Sequence, residues 1–175
     1  MGHLLNAGYE LVLWFCNDPH RCIANNQRVL EPHTAKHAKL IAGGGEQRSR
    51  INSDGAYRVR QGAYGNATAG RIPRNVLNVS STCASQRTYK SAARDLGLQA
   101  HGAPMPLALA RKLVKFLSDV GQLVVDPCAG SMTTPLAAEL EGRRWAGTDL
   151  VFDYVRGGAE RFRESSGFNL ALDAA

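Results

Sequence analysis

The stretch LVVDPCAGSMTTPLAAELEGRRWAGTDL, Leu123 to Leu150, restricts the fold more than any other part of the chain. An apolar run ends on Asp126. A turn of small residues follows, then an alanine- and leucine-rich segment, then a second short run, WAGTD, that ends on Asp149. Two strands separated by a helix of that length lie parallel and are joined by a right-handed crossover. The reading is an open α/β sheet whose ligand belongs at the carboxyl ends of its strands. Pro127, Cys128, Ala129, Gly130 and Ser131 make the turn. Thr134 is placed to cap a helix whose first position is Pro135 and which Gly142 ends.

Asp126, Gly130 and Asp149 all fall on that edge, with a small residue where backbone must approach a ligand closely. An acid at the end of the second strand can accept hydrogen bonds from ribose hydroxyls. Neither GxGxxG nor GxxxxGK[ST] occurs, so nothing cradles a pyrophosphate or a triphosphate. An acid at the end of the first strand repels phosphate and suits an ammonium group. S-Adenosyl-L-methionine has an α-amino group, a ribose and no phosphate, and so meets these demands better than NAD or ATP. The competing reading is a tight strand-to-helix turn selected for packing alone.

Elsewhere the chain alternates between core-forming and irregular stretches. YELVLWFC, Tyr9 to Cys16, reads as a strand buried on both faces. A helix is expected around Thr34 to Ile41, ended by Gly43, Gly44 and Gly45. From there to Ala69 the composition is Gly, Arg, Ser, Asn and Gln; within it YRVRQ sets Tyr57 and Val59 on one face of a short strand and Arg58 and Arg60 on the other. With GRIPRNVL, Gly70 to Leu77, this predicts a mobile, arginine-lined surface, unless it is a flexible insertion with no partner. HGAPMPLALARKLVKFLSDVG contains an amphipathic helix with Pro106 in its first turn and an apolar stripe of Leu109, Ala110, Leu113, Val114 and Leu117. FDYVRGGAERF is a last helix, weakened by its glycines.

The formal charge of +6 over 175 residues is unevenly placed. His20 to Lys115 carries 16 Lys and Arg against four acids, Glu31, Glu46, Asp54 and Asp95, while the remainder is acidic. A basic middle of this kind is the footprint of a polyanion partner; a solvated surface is the plain alternative. Cys16, Cys22, Cys83 and Cys128 form no CxxC pair, so neither a disulfide framework nor a tetrahedral zinc site is expected. His33 and His37 stand one helical turn apart but lack a third ligand, so no metal is assigned. No apolar run is long enough for a membrane helix, and MGHLLNAGYE lacks the order of a secretory signal. A cytoplasmic protein without a membrane partner is the expectation.

Several of these stretches resemble one family. DPCAGSMTT is similar to the DPF-x-G-S-G-TT turn of DNA amino-methyltransferases that make N6-methyladenine or N4-methylcytosine, with Cys128 in place of the usual Phe and Met132 in place of the second Gly. HGAPMPLALARKLVKFLSDVGQLVVDP resembles the H-x-A-x-F-P helix that runs into the cofactor strand, with Met105 for the aromatic. RIPRNVL looks like R-x-P-x-N-V-L, and GYELVLWFCNDP is similar to the strand after the catalytic loop. The order matches the circularly permuted β class.

The resemblance implies a partial Rossmann-like, adenosylmethionine-dependent sheet with an irregular basic insertion. Residues 1–19 would supply a core strand, 20–80 a target-recognition and DNA-contact region, and 81–175 the cofactor-binding helix-strand-helix-strand portion. Asp126 would meet the methionine amino group and the backbone from Cys128 to Gly130 would line the cofactor. Asp149 would hold the ribose, and His101 with Ala103, Pro104 and Met105 would close the methionine end. Arg58, Arg60, Arg71 and Arg74 would contact double-stranded DNA. The family's [D/N/S]PP[Y/F/W] loop, which receives the flipped base, is not here: none of the seven prolines is adjacent to another, and NDPH is no substitute. No catalytic residue is therefore assigned. The expected chain is a carboxyl-terminal portion, or one half of a split enzyme, that associates with an amino-terminal half or complementing subunit. The alternatives are a non-catalytic DNA-binding remnant and, with less support, methylation of RNA or protein.

Overall fold

The computed structural model describes residues 8–52 and 55–171. The ends of the expected 1–19 and 81–175 units, and Asp54 in the basic middle, lie outside the described residues. Single 3₁₀ turns at Pro19–Arg21 and Asn26–Val29 precede helix α1 (Ala35–Ala42) and strands β1 (Arg50–Asn52) and β2 (Tyr57–Val59). Helices α2 (Ala84–Asp95) and α3 (Leu107–Leu117), strand β3 (Leu123–Asp126), helix α4 (Thr133–Leu140), strand β4 (Arg144–Gly147) and helix α5 (Phe152–Ala159) follow, and α5 runs on into a 3₁₀ turn, Glu160–Phe162. β3 and β4 pair in parallel, from Leu123 opposite Arg144 to Asp126 opposite Gly147, with α4 as their connection. β1 and β2 form a separate antiparallel hairpin with Ile51 opposite Arg58. The chain is an α/β protein.

The core sits where the apolar stripe of α3 meets α4. Ala110 and Val114 are buried against Ala137, with Leu107 and Val124 packed beside them. A second cluster joins Ala129, Met132, Leu136 and Phe162, with Trp145 and Val155 packed against it. The charged residues off the stripe of α3 are not merely solvated. Arg111 and Lys115 reach Glu141, just past the end of α4, at 2.6 and 3.3 Å. Burial pushes the Glu141 carboxyl up, but the hydrogen bonds from Arg111 and Lys115 outweigh it and leave the group below its ordinary value of 4.5. A carboxylate held low in the folded state stabilises the fold above its unfolded pKa, and that contribution is lost as pH falls through the folded value. The melting temperature should therefore fall more steeply with acidification below about pH 4.5 in the native protein than in Glu141→Gln. Parallel curves in thermal melts would remove Glu141 from the account.

Two sequence expectations are corrected. No strand forms from Tyr9 to Cys16. Leu11 and Phe15 are 77% and 83% exposed, and Trp14 only touches Phe116 of α3 edge-on at 5.8 Å. A strand requires a hydrogen-bonding neighbour, and among the described residues β3 pairs with β4 alone and the hairpin with itself. Helix α4 begins at Thr133 and not at Pro135, because Met132 takes a left-handed conformation (φ 59°) that closes the turn early. Pro135 is then in the first turn, where its missing N–H leaves no bond unmade. The glycines of α5 are packing positions as well as weak points in the helix: a Cβ on Gly157 would meet Ala93 of α2 at 3.2 Å.

The basic middle is anchored to α3. The Asn25 N–H donates to the Phe116 carbonyl (2.9 Å), Arg28 pairs with Asp119 (2.5 Å) and Lys112 pairs with Glu31 (2.7 Å). α1 forms as the sequence indicates, with the Thr34 hydroxyl accepting from the His37 N–H at 3.3 Å.

Candidate functional site

Asp126 is the last residue of β3, and the backbone beyond it is stitched to the extension of β4. The Thr148 N–H donates to the Asp126 carbonyl (3.0 Å), and the Ala129 N–H donates to the Thr148 carbonyl (2.8 Å). These two bonds hold the strand ends side by side, so the carboxylates of Asp126 and Asp149 share one edge. Asp149 itself closes the turn: one carboxylate oxygen accepts from the Val151 N–H (3.0 Å) and the other from the Gly130 N–H (2.8 Å). Those two donors hold its carboxyl below the usual 3.8, with burial opposing and His101 adding a smaller pull in the same direction. Each oxygen keeps lone-pair capacity for a further donor. Asp126 accepts from the Cys128 N–H at 3.0 Å.

Gly130 has φ +48°, a conformation L residues avoid, and a Cβ there would lie 3.2 Å from the His101 ring. The structure thus brings together Asp126, the turn residues Pro127 to Ser131, Asp149 and His101. The His101 ring also stands edge-on to Tyr154 at 4.8 Å, and its backbone N–H donates to the Tyr89 hydroxyl at 2.8 Å. Pro104 is buried, with its carbonyl accepting from Gln86 (2.6 Å), while Ala103 and Met105 are exposed beside it. Cys128 is exposed on the turn, and Ala129, Gly130 and Ser131 are buried beneath it.

Sequence reasoning missed two contributors. One is α2, whose Gln86, Tyr89 and Ala93 are its buried face. The signal was there: Gln86 Oε1 accepts from the Cys83 N–H at 3.0 Å, half of a capping box in which cysteine stands for the usual serine or threonine. The other is Arg161, whose guanidinium reaches the Ser131 carbonyl beneath the turn at 2.8 Å. Burial lowers its proton affinity, which its proximity to Cys83 and Tyr89 partly restores.

Of the four arginines expected to face DNA, Arg58, Arg60 and Arg74 are exposed. Arg71 is turned onto Glu31 (2.6 Å) and the Pro32 carbonyl (3.2 Å), and its backbone forms a bridge with Glu31. Its side chain remains 38% exposed, and these contacts use two of the five guanidinium N–H donors, so Arg71 is tied to Glu31 and keeps donors for a further acceptor. Arg71, Arg74, Lys112, Glu31 and Asn78 line a cavity of about 340 Å³. The hydrogen bond from Lys112 holds the Glu31 carboxyl below its usual range against the opposing effect of burial. His33 and His37 stack edge-on at 4.7 Å; among the described residues no three metal-ligating side chains cluster, and no helix is long and apolar enough to cross a membrane.

The chain has clear relatives. It is 29% identical over 139 residues to the type II methyltransferase M.PvuII of Proteus hauseri, which covers 79% of this chain and 41% of that protein. It is 32% identical over 69 residues to the DNA adenine methyltransferase YhdJ of Escherichia coli (strain K12), covering 39% of this chain and 24% of that protein. The solved PvuII DNA methyltransferase (cytosine-N4-specific) superposes with a TM-score of 0.48 at 33% identity, over 59% of this chain and 34% of that one. The chain therefore spans less than half the length of these relatives. The sequence profile of the family described as DNA methylase matches residues 3–160, nearly the whole chain, and the chain belongs to that family.

Proposed function

We propose that this chain is the cofactor- and DNA-binding portion of an S-adenosyl-L-methionine-dependent DNA amino-methyltransferase of the permuted β class, acting on adenine N6 or cytosine N4. The observation that carries the reading is the pair of carboxylates on one edge, with Asp149 bonded to the Gly130 N–H at 2.8 Å. Asp149 keeps acceptor capacity for the two ribose hydroxyls. Asp126 offers a negative charge to the methionine ammonium, and His101 covers the turn from above. In this reading β3–α4–β4 is part of a Rossmann-like sheet, residues 20–80 are the target-recognition region, and Ala103 to Met105 border the methionine end.

When bound, the cofactor supplies an electrophilic methyl group on a sulfonium. The residues of this chain bind and orient it. A loop of the [D/N/S]PP[Y/F/W] type, which presents the target amine, comes from outside this chain, from an amino-terminal half or a complementing subunit. The open side of the sheet supports such a partner: β3 has one neighbour among the described residues, and Leu123 and Val125 are 54% and 61% exposed. Alone the chain should self-associate or precipitate; a monodisperse, cooperatively melting monomer in sedimentation and calorimetry would argue against the partner.

Double-stranded DNA lies along the basic middle, with Arg58, Arg60, Arg71 and Arg74 meeting phosphates, Arg71 while also paired with Glu31. Reversing the charge of Arg58 and Arg74 should weaken duplex binding and flatten the log–log salt dependence by about one unit per lost contact. Unchanged slopes would take both residues out of the interface. The function is tested by co-expressing the chain with a segment carrying the missing loop and following tritium from labelled adenosylmethionine into duplex DNA. Transfer supports an enzyme portion; DNA binding without transfer or cofactor binding supports a non-catalytic remnant.

A further inference from the structure

Arg161 holds four hydrogen bonds without a carboxylate among them. Its Nη1 donates to the Ser131 carbonyl (2.8 Å) and the Thr133 hydroxyl (2.9 Å), and its Nη2 to the Ser85 hydroxyl (2.7 Å) and the Ser85 carbonyl (3.2 Å). The guanidinium carbon also lies 5.6 Å from the centre of the Tyr89 ring, close enough for a cation–π contact. A cation wedged between the first turns of α2 and α4 faces the positive ends of both helix dipoles, so charge alone does not favour this placement. What the site uses is the planar fork, which spans two elements at once as an ammonium cannot.

The two elements support opposite sides of the contact between His101 and the turn, beside the proposed cofactor site. Through Ser131, Arg161 fixes the carbonyl immediately before the left-handed Met132, at the floor of the turn. Through Tyr89, which is fully buried and whose hydroxyl accepts from the His101 N–H, it fixes the ring that rests on Gly130. We infer that Arg161 is a positioning residue that sets the spacing between His101 and the Asp126–Ser131 turn, and so the shape of the proposed cofactor site beside them. The inference rests on the cofactor reading above for the identity of the ligand, but the geometry it asserts exists in the free protein.

The experiment compares Arg161→Ala with the native chain, each co-expressed with the segment that carries the missing loop, without and with ligand. In the free protein, ¹H–¹⁵N spectra should show the Gly130 amide and the His101 ring resonances displaced by the substitution, whatever the cofactor does; unchanged resonances would overturn the inference. With S-adenosylhomocysteine as probe, calorimetry should give a dissociation constant raised about 10-fold, partly restored by millimolar methylguanidinium, which can refill the vacated site. Native affinity in the folded variant, or lost affinity that methylguanidinium does not restore, would also overturn it. Should Arg161→Ala fail to fold, Arg161→Lys keeps the charge and loses the fork, and is expected to weaken binding about 3-fold or more; affinity equal to native would refute the role of the fork. Failure of the native chain to bind the probe, with the resonances still displaced, would count against the cofactor reading and leave the geometry of His101 and the turn standing.

Discussion

Replacing Asp149 by alanine is expected to raise the dissociation constant for S-adenosylhomocysteine on the order of 100-fold, since it removes the charged acceptor proposed for both ribose hydroxyls. The same carboxylate receives the Val151 and Gly130 N–H groups, so the substitution also frees the turn from the end of β4. Asp149→Asn separates the two effects. It keeps one acceptor oxygen but turns an amide donor toward one of two backbone donors, so it should lose more affinity than the shape change alone suggests. Calorimetric titration of the three proteins, each complemented with the loop-carrying segment, checks this, and undiminished affinity in Asp149→Ala would refute the assignment. The pH dependence has a definite sign: with the carboxyl held low by its backbone donors, the lock is intact above the unfolded pKa and is lost only as pH falls through the depressed folded value.

Gly158→Ala should lower stability by about 2 kcal/mol, a loss arising from overpacking beneath the turn and reduced by the better helix propensity of alanine. A Cβ on Gly158 would lie 2.5 Å from Met132 Cγ, 2.9 Å from Met132 Cβ and 3.2 Å from the Ser131 carbonyl carbon. Two of those three atoms belong to one side chain. Met132→Ala alone removes a side chain that is 5% exposed and should cost about 2–4 kcal/mol. In the double variant the contact with Met132 Cγ is gone while the retained Cβ still lies 2.9 Å away, so the two losses should fall short of additive by about 1 kcal/mol. Thermal or denaturant unfolding of the four proteins, each in complex with the loop-carrying segment, measures the coupling. Strict additivity would mean that Gly158 and Met132 do not share the space between α5 and the turn.

This pair shows how far the sequence could be read. Met132 departs from the glycine expected at its position, and nothing local says how the chain tolerates it. The structure answers through residues far away in sequence: the backbone accepts a left-handed conformation, at a strain of about 1–2 kcal/mol, and the side chain is buried between Gly147 and Gly158. Leu123 to Asp126, Arg144 to Gly147 and the stripe of α3 were legible because periodicity and terminal glycines report local structure. Asp126 lies at a strand end and Gly130 in a tight turn, as local pattern indicates, whereas Asp149, expected to close the second strand, lies two residues beyond β4, which stops at Gly147.

Contacts fixed by tertiary packing were not. Arg161 lies 30 residues from Ser131 and 76 from Ser85, and no spacing rule links positions that far apart. Glu31 pairs with Arg71 across 40 residues, which no reading of RIPRNVL could anticipate. Tyr9 to Cys16 has the composition of a central strand, yet β structure depends on partners that composition does not name.

The central claim is that Asp126 and Asp149 grip opposite ends of one sulfonium nucleoside, and amide chemical-shift mapping with S-adenosyl-L-methionine on the chain complemented with the loop-carrying segment tests it most directly. The Cys128 N–H is bonded to Asp126, and the Gly130 and Val151 N–H groups to Asp149. Those three amides should therefore shift together and saturate at one ligand per chain. Saturable shifts that map elsewhere and leave Cys128, Gly130 and Val151 in place would contradict the account.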